Sequence, residues 1–577
     1  MNISKGMKNI LTGLYLSLKR FPLTIFLSVS VAAVLITISE LRPVEDTLSK
    51  IAMVLALGIP LSLCITLFFE KYTSKNIYKL LSYFVAGLFL SLYYFLLLKD
   101  MGMVSTTRYV AVSLALYLAF FFIPYLDGKK QFELYVITVF TCFFLTAIYS
   151  IVLFAGLSAI LFTIDSLLEI KVQGELYYYT WLFVVFVFAI SYFLSGIPMR
   201  EEEMTSKAYP KLLKILLLYI VIPLLTAYTV ILYIYFGKII ITRQWPVGLV
   251  SHLVLWYSVI VTSVIFFITP LFEKNNVSTR FLKFAPKVIL PLLIMMFISI
   301  GIRINAYGIT ERRYYVVILA LWVFSMMLLF SFAKNNKNIL ILITLALVAI
   351  ISVFGPLSSY SVSKYSQNKR FENILLKNNM LKDGNITLAS NVSKEDKLDI
   401  SSILNYFEQN HSLKDLKYLP KDFAIANMDN LFGFTYELPN NQYTDDYFYF
   451  TRRDSGKHID IKGYDYMVDV RTLTHGNPNS NKDLNVAFNY ETSIVNIKYK
   501  DKPAYNKDLS IFVKDLIIKY GYKGSETTIP EDEMTLIEEN DTLKVKFVFI
   551  NISGNKNDYS NTNNGKGYEF YLLIKIK

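Results

Sequence analysis

Three arginines and three tyrosines crowd one short stretch of the chain: Arg303, Tyr307, Arg312, Arg313, Tyr314 and Tyr315, with Gly308 and Thr310 among them. Guanidinium forks suit phosphate or carboxylate, and tyrosine rings settle at the headgroup level of a bilayer. Gly308 permits a tight turn after Tyr307, and Thr310 is placed to cap a following helix. The chemistry on offer is anion binding. Its candidate partners are lipid headgroups, an anionic envelope polymer, another membrane protein, or the chain's own C-terminal part. The plainer reading is interfacial anchoring, with ion pairs to acids such as Asp165 or Glu169.

Other residues capable of chemistry are thinly spread. Glu45 and Asp46 are adjacent carboxylates, with Glu40 five residues earlier. The acidic run Glu531-Asp532-Glu533, near Glu538, Glu539 and Asp541, has the charge to hold calcium but lacks the alternating oxygen ligands of an EF-hand loop, so a solvated strand face is expected there. The two cysteines, Cys64 and Cys142, both lie in apolar runs. His252, His411, His458 and His475 show no metal-ligand spacing. No metal site or cofactor is expected.

The elements that position these residues are long and apolar. Apolar runs with uncharged interiors occupy residues 22–39, 51–69, 80–98, 109–126, 134–164, 176–197, 214–236, 247–270, 287–302, 314–333 and 338–356. A bilayer-spanning helix needs roughly 20 such residues, so eleven spans are expected. Two are doubtful. Residues 134–164 are too long for an untilted span and must tilt, protrude or break near Gly156, whereas 287–302 is close to the lower limit. Pro60, Pro223 and Pro291 read as tolerated kinks.

Composition divides the chain in two. Residues 1–356 hold 29 Lys+Arg against 15 Asp+Glu, and residues 357–577 hold 29 against 30. The basic excess belongs to the membrane half and follows the positive-inside bias rather than nucleic-acid binding. With the N-terminus cytoplasmic, the inner segments carry 19 Lys+Arg and the outer loops 10. Eleven spans then place the C-terminal part outside. No ionisable group lies at midspan, which argues against ion-coupled transport.

The expected organisation is an amphipathic interfacial helix over 1–20, a transmembrane domain over 21–356, a linker over 357–366 and an extracytoplasmic α+β domain over 367–577. In the helix, Met7, Ile10, Leu11, Leu14 and Leu18 form the apolar stripe. In the tail, helices are expected near 365–381, 393–409 and 506–520, with Ser393 as an N-cap. Alternation predicts strands over 447–451, 466–473, 484–490, 493–499, 543–552 and 568–576, forming an antiparallel sheet. The Asn-rich stretches 477–485 and 551–564 read as loops.

The segment from Arg303 to Tyr315, Arg20-Phe21-Pro22 at the first span and Ile461-Lys462-Gly463-Tyr464-Asp465-Tyr466 in the tail together resemble a family of bacterial multi-pass proteins classed only as a domain of unknown function. The resemblance implies a polytopic protein of the plasma membrane and no particular activity. Three functions fit the residues. One is a non-enzymatic envelope sensor or scaffold presenting its outer domain. Another is a membrane glycosyltransferase acting on a lipid-linked donor, with Glu45 and Asp46 as its acids, although their loop is short for such an enzyme. The third is a transporter of a lipid or other hydrophobic substrate.

Overall fold

The computed structural model describes residues 3–577 except 42–45, 73–75, 128–130, 169, 199–208, 244–248, 333–337, 389–390, 437–446, 454–457, 474–478, 481–482, 491, 521–525 and 556–566. The chain divides into two compact units, one of residues 1–389 with 406–424, the other of 390–405 with 425–577. The first is a helical bundle. The second is an α+β domain.

In the bundle, a helix over Ile3–Arg20 precedes ten helices long and apolar enough to cross a membrane: Pro22–Glu40, Asp46–Tyr72, Asn76–Leu97, Met103–Tyr125, Phe132–Leu168, Gly174–Ser195, Lys211–Thr242, Ser251–Leu271, Asn276–Tyr307 and Glu311–Phe332. The protein is therefore a multi-pass membrane protein. The run expected at 134–164 is one unbroken helix through Gly156. The run expected to be marginal, 287–302, is the middle of the 32-residue helix Asn276–Tyr307, which keeps Pro286 and Pro291 inside it. The helix extends into its charged flanks, beyond the apolar stretch that hydropathy detects.

The eleventh run is the short one. Ile339–Ile351 has 13 helical residues, about 20 Å at a 1.5 Å rise, and turns follow to residue 358. These turns nevertheless bring the chain back to the end at which Glu311–Phe332 begins. There Tyr314 Oη donates to the Leu357 carbonyl, and Tyr315 Oη lies 3.2 Å from Ser359 Oγ.

Polar contacts sort the two ends of the bundle. At one end Arg20 forks onto both oxygens of Glu70 at 3.0 and 2.9 Å and donates to the Ile197 and Pro198 carbonyls. Lys71 pairs with Asp127 at 2.8 Å, and Asn338 donates to Glu133 at 2.8 Å. At the other end Tyr179 donates to Glu40, Lys50 reaches the Lys99 carbonyl and Arg108 the Val353 carbonyl. Each bond joins ends that eleven alternating traverses would place together. The chain thus leaves the bundle at the end opposite Arg20.

Two helices contain π turns, Val184–Ala189 and Leu216–Val221. The second lies two residues before Pro223, whose missing N–H removes a rung of the helical ladder. At the first, Ser28 Oγ donates to the Phe186 carbonyl. The bundle core is mostly apolar, with Ile289, Leu293, Met296, Ala320, Val323 and Met327 wholly buried, and it also encloses hydroxyls such as Thr24, Ser62 and Ser258.

After Leu357 the sequence suggested a linker, but Ser358 caps a helix over Ser359–Lys377 by accepting from the Ser361 amide. Residues 359–366 are its first two turns. A short hairpin follows, β1 (Leu381–Lys382) with β2 (Asn385–Ile386), turning through Asp383-Gly384. The Ser393 hydroxyl accepts from the Asp396 amide at 3.1 Å to start the helix Lys394–Asn410.

The second unit is built on β3 (Tyr447–Arg452), β4 (Tyr466–Asp469), β5 (Asn479–Ser480), β6 (Leu484–Asn489), β7 (Ile494–Tyr499), β8 (Lys502–Asp508), β9 (Glu526–Ile529), β10 (Thr535–Glu539), β11 (Leu543–Asn555) and β12 (Gly567–Ile576). One sheet has the order β4-β12-β11-β3-β9, with β10 also paired to β11; the other is the meander β5-β6-β7-β8. All pairs are antiparallel except β3 with β9. Both sheets contribute to one aromatic core, in which Phe488 lies edge-on to Tyr568 and Phe570, and Phe512 of the helix Ser510–Tyr520 stacks on Phe549.

Three expectations change here. The helix predicted from 506 begins at Ser510, because 502–508 pairs with β7 as a strand. The strand predicted to 473 ends at Asp469, whose carboxylate caps a 3-10 turn by accepting from the Arg471 amide. Residues 553–555, expected as loop after the strand predicted to 552, extend β11: 551–555 pair with β3 and 551–553 also with β12. The acids around 531–541 are ion-paired: Glu531 with Arg452, Glu533 with Lys519, Glu538 with Lys507, and Glu539 with Lys577.

Candidate functional site

The loop singled out by its arginines is a three-residue crossing between the helices Asn276–Tyr307 and Glu311–Phe332. Gly308 ends the first helix with φ +67° and ψ 178°, a backbone region open essentially to glycine alone. A Cβ at this position would lie 2.8 Å from Gln367 Nε2 and 3.3 Å from Ser366 Oγ. Glycine is therefore needed twice, for the turn and for the helix that closes over it.

That helix is Ser359–Lys377. The Ile309 amide donates to Ser366 Oγ at 2.8 Å, and Gln367 Nε2 donates to the Tyr307 and Ile309 carbonyls at 3.1 and 3.0 Å. From the first turn of the next helix, Arg313 Nη1 donates to the Tyr307 and Gly308 carbonyls at 3.1 and 2.8 Å. Backbone groups freed by the turn are satisfied by side chains rather than water. Of the partners anticipated for this loop, the one present is the chain's own downstream segment.

Beside it lies a buried polar cluster that the sequence did not suggest. Glu311 Oε1 accepts from Tyr406 Oη at 2.7 Å and lies 2.7 Å from His411 Nε2; Tyr406 Oη and His411 Nε2 are 3.0 Å apart. The side chains of Glu311 and His411 are 5% and 1% exposed. The carboxylate stands in the first turn of its helix, where the helix dipole favours negative charge. Burial, then the Glu311 charge, push the Tyr406 phenol well above its ordinary range. Tyr406 is held as a donor. A second tie runs nearby: Asn368 donates to the Asp415 carbonyl and accepts from the Lys417 amide at 2.7 Å, and Lys364 pairs with Asp415 at 2.7 Å.

The arginines form a separate group. The Arg313 and Arg370 guanidinium carbons sit 5.5 and 5.9 Å from the centre of the Tyr307 ring, and the charges of Arg303 and Arg370 both bear on Arg313. Arg312 is exposed. The Thr310 carbonyl accepts from the Tyr314 amide, but among the described residues the Thr310 hydroxyl makes no capping bond. Asp165, anticipated as an ion partner, accepts from the Val172 amide instead; Glu169 lies outside the described residues.

The remaining candidates are scattered. Glu45 lies outside the described residues, and Asp46 is exposed at the first turn of its helix. His252 lines an apolar cleft of about 530 Å³ with Val221, Leu224, Tyr228, Trp256 and Ile260. His458 is exposed, and His475 is outside the described residues. Ser366, Gln367, Arg370, Tyr406 and His411 could not be found from sequence spacing, because their partners are 57 to 100 residues away.

Comparison with known proteins agrees with this architecture. The chain is similar to "Uncharacterized protein PM1469" of Pasteurella multocida (strain Pm70), with 25% identity over 324 residues. The match covers 52% of this chain and 54% of that protein, so it spans about half of each. No solved structure matches. The model of the family described as "Domain of unknown function (DUF4153)" matches residues 24–388, which take in the spans, the arginine loop and the helix docked on it; the chain belongs to that family.

Proposed function

We propose that the protein is a non-enzymatic envelope sensor or scaffold, whose bundle anchors and orients the C-terminal α+β domain on the extracytoplasmic side. The observation that carries this reading is the clamped segment after the last apolar run. Helix Ser359–Lys377 is bonded to the loop between two spans at Ile309 and Tyr307, and residues 406–418 return to the same unit through Tyr406, His411 and Asn368. Such a joint ties the chain to the bundle as far as Tyr418. A flexible tether would need none of these bonds. The excess of Lys and Arg on the Arg20 side supports a cytoplasmic N-terminus, and eleven traverses support an outer tail.

The test has two parts. A reporter active only outside the cytoplasm, fused after Lys577, is expected to be active, and one fused after Arg20 inactive. A deletion strain is expected to regain its normal envelope composition with the intact chain and not with a chain ending at Ala424. Rescue by the shortened chain would overturn the proposal.

A further inference from the structure

Arg303, Arg313 and Arg370 come from three elements: the last turn of one span, the first turn of the next, and the helix docked on the loop between them. Tyr307 is their common neighbour. Arg313 and Arg370 both lie over its ring, and Arg303 precedes it by one helical turn, on the same face. Arg313 has structural work, holding two loop carbonyls. Arg303 has none. Its Nε is enclosed and without a hydrogen-bond partner. A planar guanidinium donor shut away from water in this manner is costly unless something accepts from it.

No acid among the described residues supplies that acceptor. Among the described residues neither Arg303 nor Arg313 has a carboxylate within ion-pair distance, and the acid nearest in sequence, Glu311, is occupied by His411 and Tyr406. Like charges grouped near a membrane repel more strongly than in water. An anion with several oxygens, placed among the three forks, would remove that repulsion and satisfy Arg303 Nε together. Both spans end here, so the group lies at headgroup depth. Phosphate is the anion that a bilayer presents there at high density.

We propose that Arg303, Arg313 and Arg370 form a binding site for a phosphate group at the ends of these two spans, filled by the headgroup phosphate of an anionic lipid. A lone inorganic phosphate offers the same oxygens and is separated from the lipid by the test. The site does not depend on whether the C-terminal domain senses or scaffolds.

The experiment uses the full chain in nanodiscs, with thermal unfolding as readout. Three conditions are compared: a neutral, phosphate-free glycolipid (digalactosyldiacylglycerol) alone, the same glycolipid with phosphatidylglycerol, and the same glycolipid with millimolar inorganic phosphate. Phosphatidylglycerol is expected to raise the midpoint. Arg303→Gln is expected to weaken the dependence on phosphatidylglycerol about tenfold, the scale of one lost set of charge-assisted bonds. Its midpoint in the glycolipid alone should not fall, since among the described residues Arg303 holds no structural bond. Arg312→Gln, an exposed neighbour of equal charge, is expected to keep the full dependence. A matching rise with inorganic phosphate alone would keep the site and overturn the lipid as its source. An Arg303→Gln chain responding as fully as the intact one, or no response to either phosphate source, would overturn the site.

Discussion

Two polar groups sit side by side at the same helix ends and are built on opposite plans. Around Glu311, one carboxylate receives Tyr406 and lies against His411, and every member has a partner within 3.0 Å. Around Tyr307, two guanidiniums lie over the ring, and a third, Arg303, one helical turn away, keeps an enclosed nitrogen with no acceptor among the described residues. The first is complete as a structural joint. The second is complete only with an anion from outside the chain. A buried polar network is stabilising when fully satisfied and costly when partly satisfied, so the contrast separates a residue set that holds the fold from one that has kept room for a ligand.

Removing the acid should have the largest effect. Glu311→Ala strands His411 and Tyr406 in a buried site and is expected to cost about 3 kcal/mol. Hydrogen exchange across 406–418 should accelerate in step. Gly308→Ala follows, at about 2 kcal/mol, because it combines a positive φ with a clash against Gln367 Nε2. Amides of Ser359–Lys377 should lose protection in this variant, and unchanged exchange there would break the claim that the helix is clamped by the loop.

Tyr406→Phe removes one donor and should cost about 1 kcal/mol. It also carries a pH signature. The phenol's folded pKa lies above its ordinary value of 10.0, so its contribution is fully present below pH 10 and fades as the pH rises through the folded value. Alkaline melting of the intact chain should steepen above pH 10, and the Tyr406→Phe chain should lack that component. Ser366→Ala should have the smallest effect of the series, under about 1 kcal/mol, since Gln367 still holds both loop carbonyls.

Much of the frame was legible from residue order. Among the described residues hydropathy located the ten long apolar helices and the shorter Ile339–Ile351, and alternation located β3, β6, β7, β11 and β12, because both signals are local. The arginine loop was also legible as a place where anion chemistry could occur. What closes over it was not. Ser366 ends the stretch 357–366 that suggested a linker and Gln367 opens the domain expected after it, with a helix expected only from about 365; the Ser358 cap and the docking bonds put both in one helix that starts at Ser359. His411 read as one of four scattered histidines, since Glu311 is 100 residues distant. In β8 the residues 502–508 favour strand through their register with β7, which no property of 502–508 alone announces. Short motifs showed where chemistry is available, and the fold decided which of it was already used.

The contrast between the two groups is tested most directly by hydrogen exchange of the helix Ser359–Lys377 in nanodiscs of a neutral, phosphate-free glycolipid (digalactosyldiacylglycerol), comparing Glu311→Ala with Arg303→Gln. The account predicts opposite behaviour: loss of protection when Glu311 is removed, and protection equal to or above that of the intact chain when Arg303 is neutralised without an anionic lipid present. Loss of protection in Arg303→Gln comparable to that in Glu311→Ala would contradict it, because Arg303 would then be part of the joint and not of a site awaiting an anion.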